Sequence, residues 1–264
     1  MSDLPAWHRL QHQEENDQPY WIPREFPALN LIQGTPRRAL DIGCSAGFAA
    51  PKLREKFPEC EVWGVEGNEP AARQARTRMQ HVIEQDFSDI DWSRENIGEG
   101  FDAVLLFDVL EHMYNPWATL QQVRKILAPK AEVIVSLPNV RNFFLMNDLA
   151  NGYWHYTYSG LLDVTHIRFF TEYEATKMFY QTGFRRTHWF SMVDAHWDAW
   201  QHITDFPYTI VTDKTTLRVD SQAELLQLAT ISNVCRLTAA EPESLSIEER
   251  QWWIADHAPT LTPV

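Results

Sequence analysis

Residues 39–47 read Ala39-Leu40-Asp41-Ile42-Gly43-Cys44-Ser45-Ala46-Gly47. An apolar β-type run, an acid and two glycines in that order mark a buried strand turning into a helix. In open parallel sheets ligands bind outside the carboxyl ends of strands, and glycine there lets ligand atoms approach the backbone, so a ligand is expected over Gly43 and Gly47. A dinucleotide fold would present G-x-G-x-x-G to seat a pyrophosphate. Here the middle position is Ser45, and Asp41 places a negative charge beside the turn. That combination suits a ligand with a cationic end and disfavours a dehydrogenase.

Outward from this turn, short apolar runs alternate with amphipathic stretches, the pattern of βαβ units and a parallel sheet. The strand candidates are Arg38–Ile42, Glu61–Glu66, His81–Asp86, Phe101–Phe107 and Ala131–Leu137. Asn68-Glu69-Pro70 and Asn115-Pro116 read as helix starts, each a cap followed by a first-turn proline. Trp117, Leu120, Val123 and Leu127 then form one helix face. After residue 138 the alternation breaks, and segments 139–168 and 191–222 are expected as aromatic-rich insertions over the working edge of the sheet. Thr171–Glu174 reads as a capping box, Gly183 as a helix stop, and Arg185–Phe190 and Asn233–Ala239 as two further strands. The chain thus divides into a cap or lid segment (1–37), one α/β domain (38–240) and an acidic tail (241–264).

Composition narrows the class. The 264 residues are 44% hydrophobic and 22% charged, which is ordinary for a globular chain. Against 23 Lys and Arg stand 36 Asp and Glu, a formal charge of -13, so nucleic acid and anionic lipid are disfavoured partners. Cys44, Cys60 and Cys235 are too scattered for a disulfide framework or a zinc site. Reduced thiols fit a cytoplasmic setting. No leader-like stretch opens the sequence and no apolar run approaches the roughly 20 residues that span a bilayer, so neither export signal nor anchor is expected.

Two more acids extend the ligand site. Glu66 lies 25 residues after Asp41, at the end of the second strand candidate, where a carboxylate can accept both hydroxyls of a ribose. Asp86 ends the third and is followed by Phe87, a pairing suited to the exocyclic amine and face of a purine. With Ala39–Gly47, Val62-Trp63-Gly64-Val65-Glu66, Gln85-Asp86-Phe87 and Phe101–Val104 leading to Asp108-Val109-Leu110-Glu111-His112, the sequence resembles the class I S-adenosylmethionine-dependent methyltransferases. The resemblance covers about residues 36–190. It implies a Rossmann-like seven-stranded sheet, mostly parallel with the last strand antiparallel. S-adenosylmethionine is the implied cofactor, with Asp41, Gly43, Ser45, Gly47, Glu66, Asp86, Phe87 and Asp108 as the candidate residues around it. The family's usual second glycine is Ser45 here.

Methyl transfer from a sulfonium is an in-line displacement, so the protein mainly positions the acceptor and removes its proton. The segment Asp163–Thr171, with Ser136–Val140 upstream, resembles a bacterial subgroup associated with glycan and lipopolysaccharide assembly, matched at Leu161, Leu162, Asp163, His166, Arg168, Phe169, Phe170 and Thr171. Imidazoles titrate near neutral pH, which makes His166 the first candidate base and His112 the second. The alternative is a structural pair of His166 and Arg168 bonded to Asp163. Asp108, Glu111, His112 and His166 also resemble the Glu-x-x-Glu-His…His set of small-RNA 2′-O-methyltransferases and ubiquinone-pathway O-methyltransferases, in which a divalent cation orients the acceptor. Asp108 stands there for the first Glu, and a helix-capping or hydrogen-bonding role for Glu111 and His112 is the competing reading.

Tyr153, Trp154, Tyr156 and Tyr158 in the first insertion, and Trp189, Trp197 and Trp200 in or beside the second, offer flat faces to sugars and rings alike. The expected activity is O-methylation of a sugar or glycan-precursor hydroxyl. A phenol or quinone-like small molecule is the alternative acceptor, and a catalytically silent binding module the alternative from another class.

Overall fold

A computed structural model describes residues 26–241 and Ser244. Most of the expected acidic tail, and residues 1–25 of the expected cap segment, lie outside the described residues. Among the described residues nine strands form two sheets. β1 (Arg38–Ile42), β2 (Glu61–Val65), β3 (His81–Ile83), β4 (Phe101–Phe107), β5 (Leu127–Pro138), β6 (Phe184–Val193) and β9 (Thr230–Ala239) make the main sheet, and β7 (Tyr208–Val211) with β8 (Thr216–Val219) a hairpin. The main order is β3-β2-β1-β4-β5-β9-β6. β1 to β5 pair in parallel, and β9 inserts antiparallel between β5 and β6. The seven-stranded sheet with its antiparallel last strand is the one the sequence resemblance implies.

The central strands are apolar on both faces, as a sheet covered on two sides requires. On one side, α3 (Pro116–Lys125) and α5 (Glu172–Gln181) bring Leu120, Val123, Met178 and Phe179 against Leu40, Val104 and Val133. On the other, α1 (Ala49–Lys56) and the short helix Pro27–Leu31 bring Leu53, Leu29 and Ile32 against Ala39, Leu105 and Ile134. Each fully buried Leu or Phe contributes about 2–3 kcal/mol of transfer energy. The helix starts match their capping residues: Asn68 opens α2 (Glu69–Ala75) by accepting from Ala71 N, Asn115 opens α3 and Thr171 opens α5. Gly183, at φ +84°, follows the end of α5. The three cysteines are buried free thiols, with burial pushing Cys60 up to about 11 and Cys235 up to about 12.

Several boundaries shift from the sequence expectation. The third strand stops at Ile83, because as an edge strand it pairs only with β2, and Asp86 turns away to cap the short helix Phe87–Asp89 through Ser88 N at 2.8 Å. Segment 139–168 contains α4 (Phe143–Ala150), opened by Asn142. After β6 come α6 (His196–Trp200), the β7–β8 hairpin and α7 (Gln222–Ala229), elements whose periodicity is too short to read. The hairpin lacks an Asn-Gly or Asp-Gly turn; instead Thr212 Oγ1 accepts from Thr215 N at 2.9 Å. These pieces share a small core of Phe143, Val219, Leu225 and Leu228, against which Trp200 packs.

Asn139 locks this addition to the main sheet. It is fully buried, and Nδ2 donates to the carbonyls of Gln227 at 2.8 Å and Thr230 at 3.0 Å. Asn139→Ala would remove one of the donors to each carbonyl, leaving Gln227 O with Thr230 N and Thr230 O with Asn142 Nδ2, and we expect a loss of about 1–3 kcal/mol in urea unfolding. A midpoint within error of the parent would show that the bridge contributes nothing.

Candidate active site

The strand ends of β1, β4 and β5 open into a cavity of about 560 Å³. Asp41, Gly43, Ser45, Asp108, Glu111, His112 and His166, seven of the candidates from the sequence, line it. Gly47, Glu66, Asp86 and Phe87 lie outside its lining.

The first turn is shaped by backbone sterics. Gly43 (φ +66°) has no room for a side chain, since a Cβ there would lie 2.9 Å from Val109 Cγ2. Gly47 (φ +78°) is equally tight, its Cβ position falling 3.0 Å from Ala75 Cα. Ser45 keeps the left-handed conformation (φ +48°) that glycine adopts without strain, and its N–H donates to Glu66 Oε2 at 2.9 Å. Asn68 N donates to Glu66 Oε1 at 2.8 Å, so this carboxylate is oriented by two backbone amides. Ser45 Oγ is buried with no hydrogen-bond partner among the described residues, and Asp41 is 4% exposed. A buried acid, an orphaned hydroxyl and a close-packed glycine turn fit a ligand carrying both an ammonium and polar oxygens, as the methionine end of S-adenosylmethionine does. Phe87 differs from expectation in one respect: its ring is 2% exposed and packs in the core beside Trp92, so it offers no face to a purine here.

Glu111 and His112 sit on the short helix Leu110–His112 after β4. The carbonyl of Glu111 accepts from Ile167 N at 2.9 Å and Arg168 N at 3.0 Å, which stitches this helix to the Asp163–Phe170 loop. As a result Glu111, His112 and His166 place ligating atoms within 4.8 Å of one another. The two rings meet edge to face at 4.8 Å. Glu111 is 1% and His166 8% exposed, with His166 Nε2 lying 3.9 Å from Glu111 Oε1. His166 Nδ1 faces the Leu161 carbonyl at 3.2 Å; a carbonyl only accepts, so Nδ1 carries a proton and Nε2 is the nitrogen left for the Glu111 side. Burial, followed by the charge of His166, holds the His112 pKa below the usual imidazole value.

Asp108 stands apart from this cluster. At φ +55°, its Oδ1 accepts from Ser136 Oγ at 2.7 Å, so the expected four-residue metal set comes together as three. The expected Asp163 pairing also differs. Asp163 Oδ1 accepts from Thr165, whereas Arg168 donates to the Tyr114 carbonyl. The sequence offered no signal for the cavity-wall residues Phe26, Met192, Ile231 and Ser232, which arrive from distant segments.

A methyltransferase-domain family model matches residues 10–188, and the chain belongs to that family. It is an S-adenosylmethionine-dependent methyltransferase. An uncharacterised methyltransferase of Mycobacterium tuberculosis is 30% identical over 144 residues, 53% of this chain and 68% of that protein. A ubiquinone biosynthesis O-methyltransferase of Dinoroseobacter shibae is 30% identical over 163 residues, 61% of this chain and 64% of that one. A crystal structure of a SAM-dependent methyltransferase from Thermotoga maritima shares the fold at TM-score 0.56 and 18% identity, covering 88% of this chain and 99% of that one. Among the described residues no helix is long and apolar enough to cross a membrane.

Proposed function

We propose that the enzyme methylates a hydroxyl oxygen, with His166 as general base and a sugar or glycan precursor as acceptor. The observation that carries O-methylation is the convergence of an imidazole acceptor nitrogen, a second imidazole and a buried carboxylate on one wall of the cavity. Groups of that kind call for a proton donor between them, and an acceptor hydroxyl is one. S-adenosylmethionine supplies the electrophilic methyl group. Asp41 would face its ammonium end, Glu66 its ribose hydroxyls, and Asp86 with the Phe87 backbone its adenine. His166 Nε2 takes the hydroxyl proton as the oxygen attacks, and the Glu111 carboxylate stabilises the resulting imidazolium. His112 holds the acceptor in line.

The glycan reading rests on Tyr153, Trp154, Tyr156 and Tyr158, all exposed on the loop that runs into cavity residues Ser159–Leu161. Exposed rings beside a cavity mouth suit a ligand larger than the cavity. A phenol or quinone-like acceptor is the second reading, favoured by the apolar wall of Phe26, Phe107, Pro138, Leu161, Met192 and Ile231 and by the similarity to a ubiquinone-pathway enzyme. Incubation with methyl-labelled cofactor against nucleotide sugars, oligosaccharides and catechols, with the product ether located by NMR, decides between them. Label appearing only on nitrogen or carbon would overturn both.

Glu111, His112 and His166 would also hold a divalent cation of the Mg-to-Zn type, which would polarise the acceptor oxygen. Because Asp108 is engaged by Ser136 instead of joining them, we expect EDTA to leave turnover unchanged. Inactivation reversed by magnesium or manganese would establish the metal reading.

A further inference from the structure

We infer that Asp163 and Thr165 are positioning residues for His112, holding its imidazole in the tautomer whose Nε2 lone pair is free for the cavity. The tautomer follows from geometry alone; its effect on turnover rests on the O-methylation reading above.

The proton accounting leaves one arrangement. Asp163 Oδ1 accepts from Thr165 N at 2.8 Å and lies 2.7 Å from Thr165 Oγ1. A carboxylate only accepts, so the single hydroxyl proton of Thr165 is committed to it. Thr165 Oγ1 then has only lone pairs to offer His112 Nδ1 at 3.0 Å, and the Thr165 carbonyl, 3.3 Å from the same nitrogen, is an acceptor as well. Nδ1 must therefore carry the proton. The resulting Asp–Thr–His chain works as the acid of a hydrolase triad does, with a hydroxyl inserted between acid and imidazole. Asp163 is 4% exposed, which protects the chain from competing water. Thr165 is not part of the cavity lining and acts only through His112.

The sequence places both positioning residues within Asp163–His166, beside the candidate base. Asp163 shapes the turn that presents His166, since His166 N donates to the Asp163 carbonyl at 3.0 Å, and its side chain sets His112 through Thr165. One loop thus orients both imidazoles.

The test is ¹⁵N NMR of the full chain with histidine-labelled rings, the His112 signals being assigned by their loss in His112→Asn. In the parent, His112 is expected to show a protonated Nδ1 and an unprotonated Nε2. Asp163→Ala removes the oxygen that accepts the Thr165 hydroxyl proton and frees that proton for Nδ1, so the tautomer should shift toward protonated Nε2. Thr165→Ser should keep the parental pattern. Thr165→Val, nearly isosteric, should lower kcat about 10- to 100-fold with little change in KM, an effect typical of losing the partner that orients an imidazole. A protonated Nε2 in the parent, or an unshifted tautomer in Asp163→Ala, would overturn the inference. A shifted tautomer with undiminished turnover would support the inference and remove His112 from the proposed mechanism.

Discussion

His166→Ala should lower kcat on the true acceptor by about 100- to 10,000-fold, the usual contribution of a general base, while the Kd for S-adenosylmethionine stays within about twofold of the parent. The separation of the two effects follows from position. The glycine turn with Asp41 lines the same cavity as His166, but only His166 is grouped with Glu111 and His112. Its ring accepts no load from the cofactor turn; its hydrogen bond runs to the Leu161 carbonyl within its own loop. His166 is buried, so the variant leaves a small polar void beside Glu111, and His166→Gln serves as the control for packing. Single-turnover and calorimetric measurements on both variants check the prediction. Full turnover in a folded His166→Ala would reduce the residue to a structural link between the Glu111 helix and the Asp163–Phe170 loop.

Glu66→Ala should weaken S-adenosylmethionine binding by about 2–4 kcal/mol, or roughly 30- to 800-fold in Kd, because two charge-assisted hydrogen bonds to the ribose would be lost. In the ligand-free protein the same carboxylate accepts from Ser45 N and Asn68 N. Part of the loss therefore comes from a loosened turn, with Ser45 still held at a left-handed φ. Unfolding of the variant without cofactor measures that part separately, and the remainder belongs to the ligand. Calorimetry giving parental affinity would remove Glu66 from the cofactor site.

The fold and the backbone of the glycine turn could be read along the chain because their information is local. A strand that ends in Asp41-Ile42-Gly43 and turns through Gly47 dictates its own backbone, and neither glycine could carry a Cβ in the folded protein. Helix caps at Asn68, Asn115 and Thr171 act over three residues, which is why all three were readable. The β7–β8 hairpin was not, since a threonine turn closes it without the usual Gly signal and its apolar residues serve a satellite core shared with Phe143.

The acceptor half depended on distance. Sequence alone supplied Asp108, Glu111, His112 and His166 as types and spacings and put His166 first as base, but it held no distances between them. Only the packing of the Asp163–Phe170 loop onto the Glu111 carbonyl brought three of them together and left Asp108 with Ser136. Likewise, the proton positions on the two imidazoles are set by a carbonyl five residues from His166 and a threonine 53 residues from His112. Local chain chemistry fixes turns, caps and strand ends; which side chains share a proton is decided by contacts that exist only once the sheet has assembled.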